Sequence, residues 1–172
     1  GAAGIGEVWG CAGIGLIIGG IAANTWGRRL TFAGYKRVVA CCYIVHGGAY
    51  VLFSLSRSYA AALFFIGLSR AAVAVSSVLN FSQLLRHVPN QFRGRVFSTM
   101  ESMVWATMMV SMVGAGVASV RVDPRIIGVV AGCLSSTTAL AWGWAELRGL
   151  LPEPAVDGID PAEIELHGEP HA

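Results

Sequence analysis

The chain has 172 residues, of which 55% are hydrophobic and only 13% are charged, with a mean hydropathy of +0.62. A soluble globular domain carries about 25% charged residues, so this composition excludes an ordinary soluble domain and indicates a membrane protein. The formal net charge of +2, without any long basic run, does not support a nucleic-acid-binding function.

Five apolar stretches are each long enough to cross a hydrocarbon layer, which needs about 20 helical residues. We predict spans at about 4–25, 38–56, 59–85, 98–120 and 125–145. Backbone polar groups in lipid must be satisfied within each segment, so these spans are helices. The predicted fold is therefore an all-α membrane protein with a transmembrane region over 1–150.

Basic residues are distributed unequally between the two ends of these spans. The connections after spans one and three, together with the tail, lie on one side and carry eight Lys and Arg residues. The connections on the other side carry three, and Arg70 lies inside span three. The cytoplasmic side attracts the excess of Lys and Arg. We therefore expect a multi-pass plasma (inner) membrane protein with a cytoplasmic C-terminus.

The connection after span one carries the first motif, Gly20-x-x-x-Asn24-x-x-Gly27-Arg28-Arg29. It resembles the cytoplasmic loop between two successive helices in the major facilitator superfamily of transporters. That family usually has Asp at the position of Asn24 and often has Arg at that of Thr25, so the resemblance departs from the family pattern there.

The connection after span three carries the second motif, Pro89-Asn-Gln-Phe-Arg93-Gly94-Arg95-Val96. Pro89 ends the preceding helix, and Gly94 is expected to allow a tight turn. The pattern resembles the loop before the eleventh helix in the drug- and siderophore-exporting branch of the same superfamily. We expect the arginines of both motifs to act in gating or anchoring rather than in substrate binding.

Span three carries a polar stripe, which is unusual for a membrane helix. Arg70 lies about ten residues, or roughly 15 Å, inside the span, too deep to reach the headgroups easily. Ser77 falls on nearly the same face, while Asn80 and Gln83 lie on an adjacent one. Polar residues at such depth face a water-filled cavity or a polar seam between helices. We predict that these four residues line a translocation path; a structural seam is the alternative.

Two further ionisable residues are candidates for coupling transport to a gradient. His46 lies well inside span two, where an ionisable side chain is costly and faces other helices or a cavity. Its structural alternative is a neutral histidine that donates a hydrogen bond to a neighbouring carbonyl or hydroxyl. Glu7 lies near the outer end of span one, where an interfacial carboxylate in water is the alternative.

The resemblance covers about 1–150 and implies helices eight to twelve of a twelve-helix bundle. It implies alternating access around a central site, coupled to protons or another solute, with efflux of a small molecule favoured by the second motif. The implied partners are the bilayer, the substrate and the remaining N-terminal half of the transporter.

Two alternatives stay open. The chain could instead correspond to helices two to six of such a transporter, but helices eight to twelve are favoured because Gly114-Ala-Gly116-Val117 lacks the proline expected of the fifth helix in antiporters. The other alternative is a membrane protein that does not transport a substrate and instead binds or assembles with other proteins.

Motifs of enzymes are not found in the chain. It has no Gly-x-Ser-x-Gly, His-Glu-x-x-His or phosphate-binding glycine-lysine loop, and its four cysteines lack metal-ligand spacing. We expect no enzyme activity, no cofactor and no metal site. Residues 151–172 carry four prolines and six acids and are predicted to be a disordered cytoplasmic tail.

Overall fold

The computed structural model of the protein describes residues 2–153. Within this range the chain forms five α-helices, each long and apolar enough to cross a membrane: α1 (Ala2–Gly27), α2 (Phe32–Leu55), α3 (Tyr59–His87), α4 (Asn90–Ala118) and α5 (Pro124–Leu147). The prediction of five membrane-spanning helices is thus confirmed for length and composition. The predicted disordered tail lies, from residue 154 onward, outside the described residues.

The helix ends follow local chemistry and extend beyond the apolar runs. α2 begins at Phe32 rather than near 38, because the Thr31 side chain accepts a hydrogen bond from the Gly34 amide at 3.2 Å and caps the helix. Asp123 caps α5 in the same way through the Arg125 amide, at 2.8 Å, and Pro124 occupies the first helical position.

The expected tight turn at Gly94 is wrong, since this glycine lies inside α4. The chain already reverses at Val88 and Pro89, so no second turn is needed. Arg93 helps to close this reversal, because its guanidinium group donates to the carbonyl oxygens of Val88 and Leu85 at 3.0 and 2.8 Å. Charged side chains near a helix C-terminus satisfy its last carbonyls in this manner.

Helix α1 runs parallel to α3 and in close contact with it. A Cβ atom on Gly15 or Gly19 would overlap the backbone of Gly67 or Ala71, respectively. Small residues allow this approach, and packing rather than the hydrophobic effect holds helices together in lipid. Gly6 and Gly10 form a second pair at the same spacing, but neither has a neighbour within 4 Å of its Cβ position.

Helix α2 lies antiparallel to both α3 and α5 and forms the centre of the packing. Towards α5, Gly47 and Gly132 face each other so closely that a Cβ on Gly132 would lie 2.7 Å from the Gly47 carbonyl oxygen. Towards α3, hydrogen bonds join Tyr35 to Asn80 and His46 to Ser69. The register of α2 is therefore set by small residues on one face and by polar pairs on another.

The core is small and lies at the end of the bundle where α2 begins. Tyr35, Val39 and Leu79 form its buried cluster, with Trp142 packed against it. Most large apolar side chains elsewhere are exposed, among them Ile17, Phe64 and Met109. Such exposure would be costly in water and matches a bilayer as the surrounding solvent.

Helix α4 differs from the other four helices in having no buried residue. It meets α3 near the reversal, where the rings of Phe81 and Phe97 have centroids 4.3 Å apart. Its second half lies across an open space from α2, α3 and α5. This separation leaves a cavity of about 770 Å³, larger than two others of about 370 and 260 Å³, and it is called the largest cavity below.

Candidate functional site

The largest cavity has a volume of about 770 Å³ and is open to the surface. All five helices contribute to its wall. It extends from the starts of α3 and α5, at Tyr59 and Pro124, inward to Arg70. The arginine-rich end, defined here as the end where α1, α3 and α5 finish, lies on the opposite side of the bundle.

The wall combines positive charge with apolar and hydroxyl groups. Arg70 and Arg125 supply the charge, and Ser54 and Ser111 supply hydroxyl groups. The apolar part of the wall comes chiefly from Val8, Phe53, Met108, Met112, Ala115 and Ile127. No carboxylate lines the cavity among the described residues. An apolar pocket with a few convergent polar groups is the usual form of a small-molecule site.

Arg70 projects from α3 about eleven residues after its start, roughly 16 Å along the helix axis. Its guanidinium group makes no hydrogen bond or ion pair with any side chain of residues 2–153. The residue directly before it, Ser69, is fully buried against α2. Helical geometry turns adjacent residues by about 100°, so α3 presents Ser69 to α2 and Arg70 to the cavity.

His46 lies behind this cavity wall. Its Nδ1 atom lies 2.7 Å from the Ser69 hydroxyl and 3.3 Å from the Ser69 carbonyl oxygen. The His46 ring also packs against Tyr50, which lines the cavity, with ring centroids 6.2 Å apart. This is the kind of hydrogen bond that the structural alternative for His46 predicts.

The other residues of the polar stripe on α3 lie in different surroundings. The Tyr35 hydroxyl donates to Oδ1 of Asn80 at 2.7 Å, which binds Asn80 into the seam with α2. Ser77 lies in a shallow groove of about 260 Å³ beside Phe81. Gln83 lines a separate cavity at the arginine-rich end. The structure therefore brings Arg70, but not these three residues, to the largest cavity.

Glu7 lies at the mouth of the largest cavity. Its carboxylate accepts a hydrogen bond of 2.7 Å from the hydroxyl of Tyr59, which belongs to the cavity wall. The pair joins the starts of α1 and α3. Glu7 is exposed, so the carboxylate lies at the entrance and not at the depth of Arg70.

The two motif segments occupy the arginine-rich end. Asn24, Gly27 and Arg28 line the separate cavity there, whose volume is about 370 Å³, whereas Arg29 does not. Gly20 has no neighbour within 4 Å of its Cβ position. Arg95 lies with Arg93 and Gly94 in the first turns of α4.

Several structural contacts were not foreseen from the sequence. Arg125 was not among the predicted site residues, yet it lines the largest cavity with Arg70. Lys36 and Glu146 form an ion pair of 3.5 Å between α2 and α5, and Lys36 also donates to the Leu151 carbonyl oxygen at 3.2 Å. An ion pair between two helices depends on how each helix is rotated about its axis. Hydropathy does not specify this rotation when the helices are apolar.

The fold defines a class: an all-helical bundle whose five described helices can each cross a bilayer, as in multi-pass membrane proteins. Comparison with protein-family models, with curated proteins and with solved structures gave no match. A more particular function therefore has to be argued from the cavities and their side chains.

Proposed function

We propose that the chain is the C-terminal part of a major-facilitator-type secondary transporter, with α1 to α5 as its helices eight to twelve. It would move a small amphipathic molecule across the plasma membrane by alternating access, with efflux coupled to an ion gradient. The observation that carries the proposal is the 770 Å³ cavity with Arg70 at its inner end. Transporters of this kind bind substrate near the bilayer midplane between helices.

The wall of the cavity suits such a substrate. Met108 and Met112 are flexible, polarizable side chains that can adapt to varied apolar groups. Arg70 supplies a positive charge at a depth where an ionisable group normally has a functional or pairing role. Without a carboxylate partner among residues 2–153, its charge is available to a ligand.

Exposure of α4 supports the view that further helices complete the cavity. This helix has no buried residue, although it borders the cavity through Ser111 and Ala115. A second half of the transporter would cover α4 and close the opposite wall. The same exposure favours the second candidate function, a non-transporting membrane protein in which α4 packs against another protein.

Accessibility of single cysteines distinguishes the two functions. The four native cysteines are replaced by serine in the full-length protein, and Ser111→Cys is labelled in membranes of known orientation with a thiol reagent that cannot cross the bilayer. Alternating access predicts labelling from both sides. Leu52→Cys on the outer surface of α2 is the control, because Leu52 is exposed and does not line the cavity, so lipid should protect it.

Labelling of Ser111→Cys from one side only would contradict alternating access and favour the interaction protein. Absence of labelling from both sides would contradict a water-filled cavity. In a cell-based export assay, Arg70→Ala should reduce transport at least tenfold while the protein remains inserted. Arg57→Ala removes an exposed arginine at the same end of the bundle that does not line the cavity, and should leave transport unchanged.

A further inference from the structure

The second cavity, of about 370 Å³, lies at the arginine-rich end between the last turns of α1 and α3 and the first turn of α2. Arg28, Arg86, Asn24 and Gln83 are the residues of its wall that carry guanidinium or amide groups. Each of these four side chains carries N–H donors. The cavity therefore offers several donors that converge from two helices and the connection after α1.

The charge of this cavity is not neutralised by the residues around it. No carboxylate lines it among the described residues, and within residues 2–153 neither Arg28 nor Arg86 forms an ion pair or a side-chain hydrogen bond. The ion pair at this end of the bundle instead joins Lys36 to Glu146. Two guanidinium groups with adjacent amide donors fit an anion with several acceptor oxygens, and phosphate is the group that arginine binds bidentately.

The surroundings of this cavity are typical of the level of lipid headgroups. It lies where the apolar parts of α1 and α3 end, and Trp26, one residue before Gly27, is 70% exposed. Exposed tryptophan is typical of the membrane–water interface. Ile21, 61% exposed and further along α1 towards the apolar interior, offers a surface to an acyl chain. Basic pockets between transmembrane helices on the cytoplasmic side are known to hold anionic headgroups.

From these observations we infer that the cavity between Arg28 and Arg86 is a binding site for the phosphate group of an anionic phospholipid. The phosphate lies between the two guanidinium groups, the amides of Asn24 and Gln83 donate to its remaining oxygens, and the acyl chains lie along the outer surface of α1. This site is separate from the 770 Å³ cavity and does not depend on transport.

Native mass spectrometry of the purified full-length protein in a non-ionic detergent tests the site. Dioleoyl phosphatidylglycerol is titrated and compared with dioleoyl phosphatidylcholine and with inorganic phosphate. Arg28→Gln and Arg86→Gln should each weaken phosphatidylglycerol binding about tenfold or more, since each removes a charge-assisted hydrogen bond to the phosphate. Arg29→Gln is the matched control, because it removes the adjacent arginine, which does not line the cavity.

Equal weakening by Arg29→Gln would overturn the proposal, because it would show general attraction to a basic surface. Unchanged binding in Arg28→Gln and Arg86→Gln would overturn it too, as would equal affinity for phosphatidylcholine. Displacement of the lipid by millimolar inorganic phosphate would assign the site to a free anion instead of a lipid. If a glutamine variant loses its helical circular dichroism, Gln83→Leu replaces it, and unchanged binding in that variant counts against the site.

Discussion

Nδ1 of His46 lies 2.7 Å from the hydroxyl oxygen of Ser69, and this contact joins α2 to α3 in the apolar interior of the bundle. Ser69 is fully buried, so its hydroxyl has no water to replace the imidazole. The adjacent residue, Arg70, faces the largest cavity. One short segment of α3 therefore contains both a packing contact and the residue proposed to meet the substrate.

We expect Ser69→Ala to lower the free energy of unfolding by about 1 kcal/mol, because it removes the closer of two hydrogen-bond partners of His46 Nδ1 and leaves only the Ser69 carbonyl oxygen at 3.3 Å. Ser77→Ala on the same helix is the control: Ser77 is exposed and makes no hydrogen bond through its side chain in the described structure, so its change should stay within about 0.5 kcal/mol. The free energies of unfolding of both variants are measured in mixed micelles. An equal decrease in the two variants would contradict a stabilising role of the hydrogen bond between His46 and Ser69.

A second prediction concerns the contact between α2 and α5. Gly47→Ala should destabilise the bundle by about 1–3 kcal/mol, because its Cβ would overlap Gly132 and Ser136. The adjacent Gly48 is the control, since a Cβ there has no neighbour within 4 Å. Gly48→Ala should be neutral or slightly stabilising, because alanine favours the helix. Comparison of the two melting temperatures checks the prediction, and a larger loss in Gly48→Ala would disprove the packing described here.

A third prediction concerns the hydroxyl of Tyr35. Tyr35→Phe removes the 2.7 Å hydrogen bond to Asn80 and leaves a half-buried amide oxygen without this donor, which should cost about 1 kcal/mol. Tyr43→Phe removes a hydroxyl that makes no hydrogen bond within residues 2–153, while the ring stays packed against the same core. Unfolding of both variants in detergent tests the assignment. The conclusion fails if Tyr43→Phe is the more destabilising of the two.

The fourth prediction concerns the insertion of the protein into the membrane and the side on which its C-terminal end lies. The protein should remain in the membrane fraction after an alkaline wash, and release into the supernatant would refute the assignment of the spans. A fluorescent reporter fused after Pro152 should be bright in the bacterial cytoplasm, because the excess of Lys and Arg lies at that end. A dark reporter there, with an active periplasmic reporter at the same position, would invert the orientation.

Most of the helices were predictable, but only part of the cavity was. Apolar runs mark α1, α3 and α5 to within a few residues, since hydropathy and length are local properties. Starts of α2 and α4 were placed too late, because a helix continues past its apolar run when capping and helix-forming residues permit. Arg70 stood out as a charge in an apolar run, whereas Arg125, next to a connection, had no such signal.

The amino-acid sequence by itself determined that the chain has five apolar helices, that its basic residues concentrate at one end, and that α3 carries polar groups at depth. Tertiary structure alone decided which faces meet: Gly47 with Gly132, His46 with Ser69, and Arg70 with the open cavity. The reason is physical. In a helix that is apolar on every side, hydropathy does not specify rotation or register, and close packing and a few hydrogen bonds between helices specify them instead.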